Sequence, residues 1–121
     1  MSASFKTAPM PTQAHYHIHK STNGQYYFHL LASTGDILLT SETYTRRTAC
    51  LNSIASVKVH APVEQNYQRL TQTDSNVYYN LLAANYQVIG TRRNIAHAKE
   101  RERLIELCQA EAPDAPITSD Y

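Results

Sequence analysis

Four histidines stand out as the residues whose type and spacing can do chemistry. His15, His17 and His19 alternate along the run HYHIHK. In a strand every second side chain points to the same side, so three imidazoles line one face while Tyr16 and Ile18 line the other. His29 joins them through a hairpin. Asn23-Gly24 marks its turn, because glycine adopts positive φ at little cost. A two-residue loop would set Ile18 opposite His29 and put Tyr16 and Ile18 on the wrong face from Phe28 and Leu30. A three-residue loop, Thr22-Asn23-Gly24 with Gly24 in a bulge, sets Ile18 opposite Phe28, Tyr16 opposite Leu30 and His17 opposite His29. That register gathers the large apolar groups on one face and is the one predicted. Adjacent imidazoles can hold Zn²⁺ or another borderline metal, given a fourth ligand or water. They can also titrate together into a repelling cationic patch below about pH 6.5. No carboxylate or cysteine lies near them in sequence. The plainer expectation is therefore a solvated sheet face with no resident metal or cofactor.

The second constellation is Ser41-Glu42-Thr43-Tyr44, followed by Thr45, Arg46 and Arg47. Read as a strand-to-helix junction capped by Thr45, it would offer free amides to an anion. Arg46 and Arg47 would then add attraction for a phosphate or carboxylate. The alternative is structural: Ser41 and Glu42 organise the turn, and Tyr44 packs over the helix start. Arg92 and Arg93 precede a similar point, where Asn94 is the expected cap. Tyr27 and Tyr78 should face outward, as base-stacking aromatics do, whereas Tyr26, Phe28, Val77 and Tyr79 should face the core. Enzyme signatures are absent. With only Gly24, Gly35 and Gly90 there is no glycine-rich phosphate loop, and no G-x-S-x-G, H-E-x-x-H or CxxC run occurs.

The elements that must position these residues follow from an internal repeat. A shift of 51 superposes Tyr16 on Tyr67, Tyr27 on Tyr78 and Leu30-Leu31-Ala32 on Leu81-Leu82-Ala83 without a gap. It also superposes Thr40 on Thr91, Ile54 on Ile105 and Ala61-Pro62 on Ala112-Pro113. Each half is too short to bury a good core alone, so the two must share one. The first half reads as strands at about 15–20, 25–33 and 37–41 and a helix at about 45–59, with Cys50, Ser53, Ile54 and Val57 as its core stripe. The second reads as strands at about 66–73, 77–84 and 87–91 and a helix at about 94–110, with Leu104, Ile105 and Cys108 inward. The charged run Lys99–Arg103 should be a solvated helix face. Ile117 suggests one short terminal strand. Residues 1–13 read as a flexible leader, and 14–121 as one domain of two halves, 14–64 and 65–121.

Composition narrows the function classes. The chain has 121 residues, 42% of them hydrophobic, nine tyrosines and a net charge of +1. Such a chain is globular, with no electrostatic pull towards nucleic acid, anionic membrane or acidic substrate. No run approaches the length of a membrane span or resembles a secretory signal. Cys50 and Cys108 fit buried thiols in a reducing cytoplasm better than a disulfide.

Several runs resemble the YegP-like family of small proteins. They are Gly24-Gln25-Tyr26-Tyr27-Phe28 with Leu30 and Ala32, Gly35-Asp36-Ile37-Leu38, Ser41-Glu42-Thr43-Tyr44-Thr45 and Asn52–Lys58 before Ala61-Pro62. In the second half Tyr78–Asn85 and Val88–Thr91 still fit, but Arg92-Arg93-Asn94-Ile95 replaces the Ser-Glu-x-Tyr element. The resemblance implies an α+β fold of two tandem β-β-β-α-β units forming one antiparallel sheet. Both helices would pack on one face, with C-terminal strands exchanged between the units. It implies no activity. The function expected is a cytoplasmic, non-enzymatic binding module, a monomer or alternatively a dimer, using the open sheet face or the first helix N-terminus for a protein or small anionic ligand. The alternatives are a single-stranded nucleic-acid-binding domain, and a metal-binding protein using the His15/His17/His19/His29 face.

Overall fold

The computed structural model describes residues 13–120, so all but the last residue of the predicted leader lies outside the described residues. The first hairpin joins β1 (His15–Lys20) to β2 (Tyr26–Leu31). Its register is the predicted one: Tyr16 faces Leu30, His17 faces His29 and Ile18 faces Phe28. Ser21 and Gln25 close a three-residue loop in which Gly24 takes φ +81°. Tyr16, Ile18, Phe28 and Leu30 are fully buried, while the histidines of opposite parity are half-buried. The alternation has thus separated a core face from an open one.

The chain continues through β3 (Ile37–Thr40), α1 (Arg47–His60), β4 (Tyr67–Thr71), β5 (Val77–Leu82), β6 (Val88–Ile95), α2 (Ala98–Glu111) and β7 (Ile117–Ser119). The seven strands form one sheet in the order β4-β5-β6-β3-β2-β1-β7. Both helices turn their predicted stripes inward: Cys50, Ser53, Ile54 and Val57 from α1, Leu104, Ile105 and Cys108 from α2. The buried apolar groups of helices and strands make one cluster. Three tyrosine hydroxyls tie it together. Tyr16 Oη donates to the Ala112 carbonyl at 2.8 Å, Tyr67 Oη to Ala61 at 2.7 Å and Tyr79 Oη to Leu38 at 2.6 Å. Both cysteines are buried and free, and no helix among the described residues is long and apolar enough to cross a membrane.

Three expectations are corrected. The sheet is mixed, not wholly antiparallel, because β7 runs parallel to β1, with Tyr16 beside Ile117 and His17 beside Thr118. β7 arrives after a helical crossover, so no tight turn dictates its direction. Thr45 does not cap α1: the N-cap is Arg46, in extended conformation, with no side-chain capping bond. Asn94 does not cap α2 either; that N-cap is His97. β6 runs on through Arg92-Arg93-Asn94 because Ile95 pairs with Val77, and Asn94 bonds Gln72 through both its backbone N–H and its side chain. Asn94 sits at φ +61°, which asparagine tolerates better than most residues.

Candidate functional site

On the open face the imidazoles of the first hairpin touch one another. His17 and His19 have ring centroids 4.7 Å apart, and His19 lies at the same distance from His29. His19 Nε2 is hydrogen-bonded to His29 Nδ1 at 3.0 Å. Tyr27 stacks on His19 at 4.9 Å, and His15 stands edge-on to His17 at 6.5 Å. His15 is held by Nδ1 to the Gln13 carbonyl at 2.9 Å, on the outer side of the row.

The carboxylate missing from the sequence neighbourhood comes from the far end of the chain. Because β7 docks beside β1, Asp120 Oδ1 reaches His17 Nε2 at 3.0 Å across 103 residues. The other His17 nitrogen, Nδ1, meets Thr118 Oγ1 at 2.6 Å. Hydroxyl, imidazole and carboxylate stand in line, but Thr118 Oγ1 also donates to the Tyr16 carbonyl at 3.4 Å. That hydroxyl therefore helps to pin β7 to β1 and is not a free nucleophile. One ligand atom from each of His17, His19 and Asp120 falls within 4.8 Å of the others, with His29 directly behind His19.

Electrostatics favour the neutral forms of His19 and His29. Burial lowers the pKa of His29, and the neighbouring His19 and His17 charges push the same way. Burial and His17 lower that of His19, against an opposing pull from Asp120. A neutral imidazole keeps a lone pair for a metal.

Of the second constellation, Ser41 and Glu42 line an open pocket with Asp36, Arg92 and Arg93, whereas Tyr44, Thr45, Arg46 and Arg47 lie outside it. Ser41 Oγ accepts from the Phe28 N–H at 2.9 Å and donates to the Glu42 carbonyl at 2.8 Å. Tyr44 donates to Ser53 Oγ at 2.9 Å and exchanges both backbone bonds with Tyr26. Ser41 and Tyr44 thus hold the turn. Glu42, Thr45 and Arg46 are exposed, while Arg47 is half-buried. The outward tyrosines are also covered: Tyr27 by His19, and Tyr78 by the Arg93 guanidinium 4.3 Å from its centroid.

The equivalent face of the second half carries amides instead of imidazoles. Thr91 Oγ1 donates to Asn80 Oδ1 at 2.8 Å, and Asn80 Nδ2 donates to Gln68 Oε1 at 2.9 Å. Sequence reasoning missed Thr118 and Asp120, although one signal pointed to them. A terminal strand exchanged onto the first half would carry the carboxylate of Asp120 to the histidine strand.

Comparison with known proteins gives a consistent answer. The family model for the domain of unknown function DUF1508 matches residues 21–68, all but its last few residues in the first half. The UPF0339 protein YegP of Escherichia coli K12 is 40% identical over 87 residues, covering 72% of this chain and 79% of that protein. The UPF0339 protein of the ptx operon 5' region in Stutzerimonas stutzeri is 35% identical over 102 residues, covering 84% and 92%. The solution NMR structure of E. coli YegP superposes with a TM-score of 0.83 at 34% identity, over 90% of this chain and 94% of that one. A UPF0339 protein from Shewanella oneidensis superposes at 0.82 with 32% identity, over 89% and 92%. In motif, architecture and sequence, the chain belongs to the YegP-like UPF0339 family.

Proposed function

We propose that the protein is a non-enzymatic binding module working through the open face of its sheet, and that its ligand there is a divalent transition-metal ion of the zinc class. His17, His19 and Asp120 are the ligands, with His29 in contact with His19 and water free to complete the set. The single observation that carries this reading is the Asp120 carboxylate 3.0 Å from His17, which turns a row of imidazoles into a mixed nitrogen–oxygen set. A tetrahedral ion with bonds of about 2.0–2.1 Å places its ligand atoms about 3.3 Å apart. The three ligand atoms here need to close by no more than about 1.5 Å from their 4.8 Å limit, within the reach of side-chain rotation. Imidazole and carboxylate without sulfur suit Zn²⁺, Ni²⁺, Co²⁺ or Cu²⁺. Thr118 against the second His17 nitrogen is the outer contact that orients a metal-bound imidazole.

The same reading takes the chain as two copies of one β-β-β-α-β unit with exchanged C-terminal segments. Supporting it, α1 and α2 begin and end 51 residues apart, and Tyr16 and Tyr67 each reach to the end of the other half's helix. The module is proposed to act as a cytoplasmic monomer, where two free buried thiols are at home. Only the first half carries the imidazoles, so one ion per chain is expected.

The test is competition with a chromophoric chelator after metal stripping, backed by the visible spectrum of the Co²⁺ form. One equivalent should bind with tetrahedral d–d bands. His17→Ala and Asp120→Ala should each weaken binding at least about tenfold, and Gln68→Ala should not. Absent binding, or affinity untouched by His17→Ala, would refute the proposal.

A further inference from the structure

We infer that occupancy of this site decides whether the C-terminal strand is docked, an inference that rests on the metal reading above. β7 is three residues long and lies at the edge of the sheet. Upstream of it the chain is anchored by burial. Ala112 and Ala115 are fully or almost fully buried, and the Ala112 carbonyl accepts from Tyr16 Oη. Among the described residues beyond Pro116, no apolar side chain is fully buried. Ile117 remains 40% exposed, and Thr118 and Asp120 are exposed. Among the described residues this segment is held by its parallel pairing with β1 and by polar contacts that include the Tyr16 N–H to the Pro116 carbonyl at 2.8 Å, Thr118 to Tyr16, and the two contacts on His17. A short parallel pairing without apolar burial opens easily.

The proposed ligand set spans the two sides of that pairing. His17 and His19 come from β1, whereas Asp120 comes from the residue just after β7. When β7 leaves, Asp120 leaves with it, so an ion engaging all three ligands binds the docked state. By linkage the ratio of docked to undocked chains rises by a factor of up to 1 + [L]/Kd, about 100-fold when free metal is at 100 times Kd. The loaded ion thus closes the outer edge of β1. Its loss frees a row of backbone N–H and C=O groups able to accept another extended segment. The second half has no such device, because Gln68 replaces His17 in the equivalent place.

Amide hydrogen exchange with and without Zn²⁺ tests this, at Zn²⁺ 100 times the Kd measured for each protein. Exchange across Ile117–Asp120 should slow by up to about 100-fold, with β4, the opposite edge strand, unchanged as the internal control. In Asp120→Ala the histidines still bind Zn²⁺ weakly, but the slowing should vanish even at the same multiple of the variant's own Kd. Stoichiometric binding with less than a twofold change at residues 117–120 would overturn the clamp and leave the metal site standing. So would equal slowing in Asp120→Ala. No Zn²⁺ binding at all would overturn both.

Discussion

Removing one hydroxyl from either half should loosen the whole molecule. Tyr16 and Tyr67 are buried, and their hydroxyls donate to the carbonyls of Ala112 and Ala61, themselves fully buried. Tyr16→Phe or Tyr67→Phe keeps the ring and deletes only the donor, leaving a buried carbonyl without that partner. Such a loss costs about 1–3 kcal/mol. At this chain length each kcal/mol moves the melting temperature by about 4 °C, so each variant should melt about 4–12 °C lower. The two bonds use different acceptors, so the double variant should lose about 2–6 kcal/mol, a large part of a typical total of 5–15. Tyr16 lies in β1 yet grips the end of α2, and Tyr67 lies in β4 yet grips the end of α1. Either change therefore weakens both halves together. Differential scanning calorimetry should show a single transition in all three variants, displaced as a unit. Two resolved transitions, with only one moved, would refute the shared interior. A single variant melting within 1 °C of the parent would refute the value assigned to the hydroxyl.

Two further outcomes follow from the same coordinates. Ile54→Ala and Ile105→Ala, both about 1% exposed, should each lower stability by about 2–5 kcal/mol in urea titrations; a near-zero loss at either site would contradict its place in the core. In the metal-free protein the lowered pKa of His29 means that the unfolded chain takes up the proton first as pH falls below about 6.5. Stability from this group is present above that pH and lost below it. The urea midpoint should thus drop between pH 7.5 and 5.5, and His29→Asn, the residue type at position 80, should make the drop smaller. A variant with the parent's full pH dependence would show that His29 is not the group responsible.

Much of the fold was legible because it rests on short-range pattern. The parity of Tyr16, Ile18, Phe28 and Leu30 chose between two hairpin loops, and the structure has the register that buries all four. The helix stripes were legible for the same reason, since Ile54 and Ile105 recur at helical spacing among small or apolar neighbours. The misreadings lie where tertiary pairing outweighs local preference. Thr45 and Asn94 are good capping types, yet neither caps. Tyr44 bridges Tyr26, and Ile95 pairs with Val77, which carries the chain past both before each helix starts. The direction of β7 was illegible because a crossover leaves both orientations open.

The site divides along the same line. The imidazole row was readable from alternation alone, and the placement of His17 opposite His29 was read correctly. Its chemistry was not readable, because chemistry turned on a carboxylate 103 residues away. With histidines only, the row is a polar face like the amide ladder of Gln68, Asn80 and Thr91. Adding Asp120 changes the kind of object it is. One edge of the cluster becomes an oxygen donor, the His17 orientation is set from both nitrogens, and His19 and His29 share a hydrogen bond beside it. The two halves share an architecture and differ in this one respect. The difference depends on β7: among the described residues it pairs with β1, whereas β4, the equivalent of β1, has only β5 beside it. Binding specificity here would arise less from the hairpin that displays the histidines than from the tail that completes them.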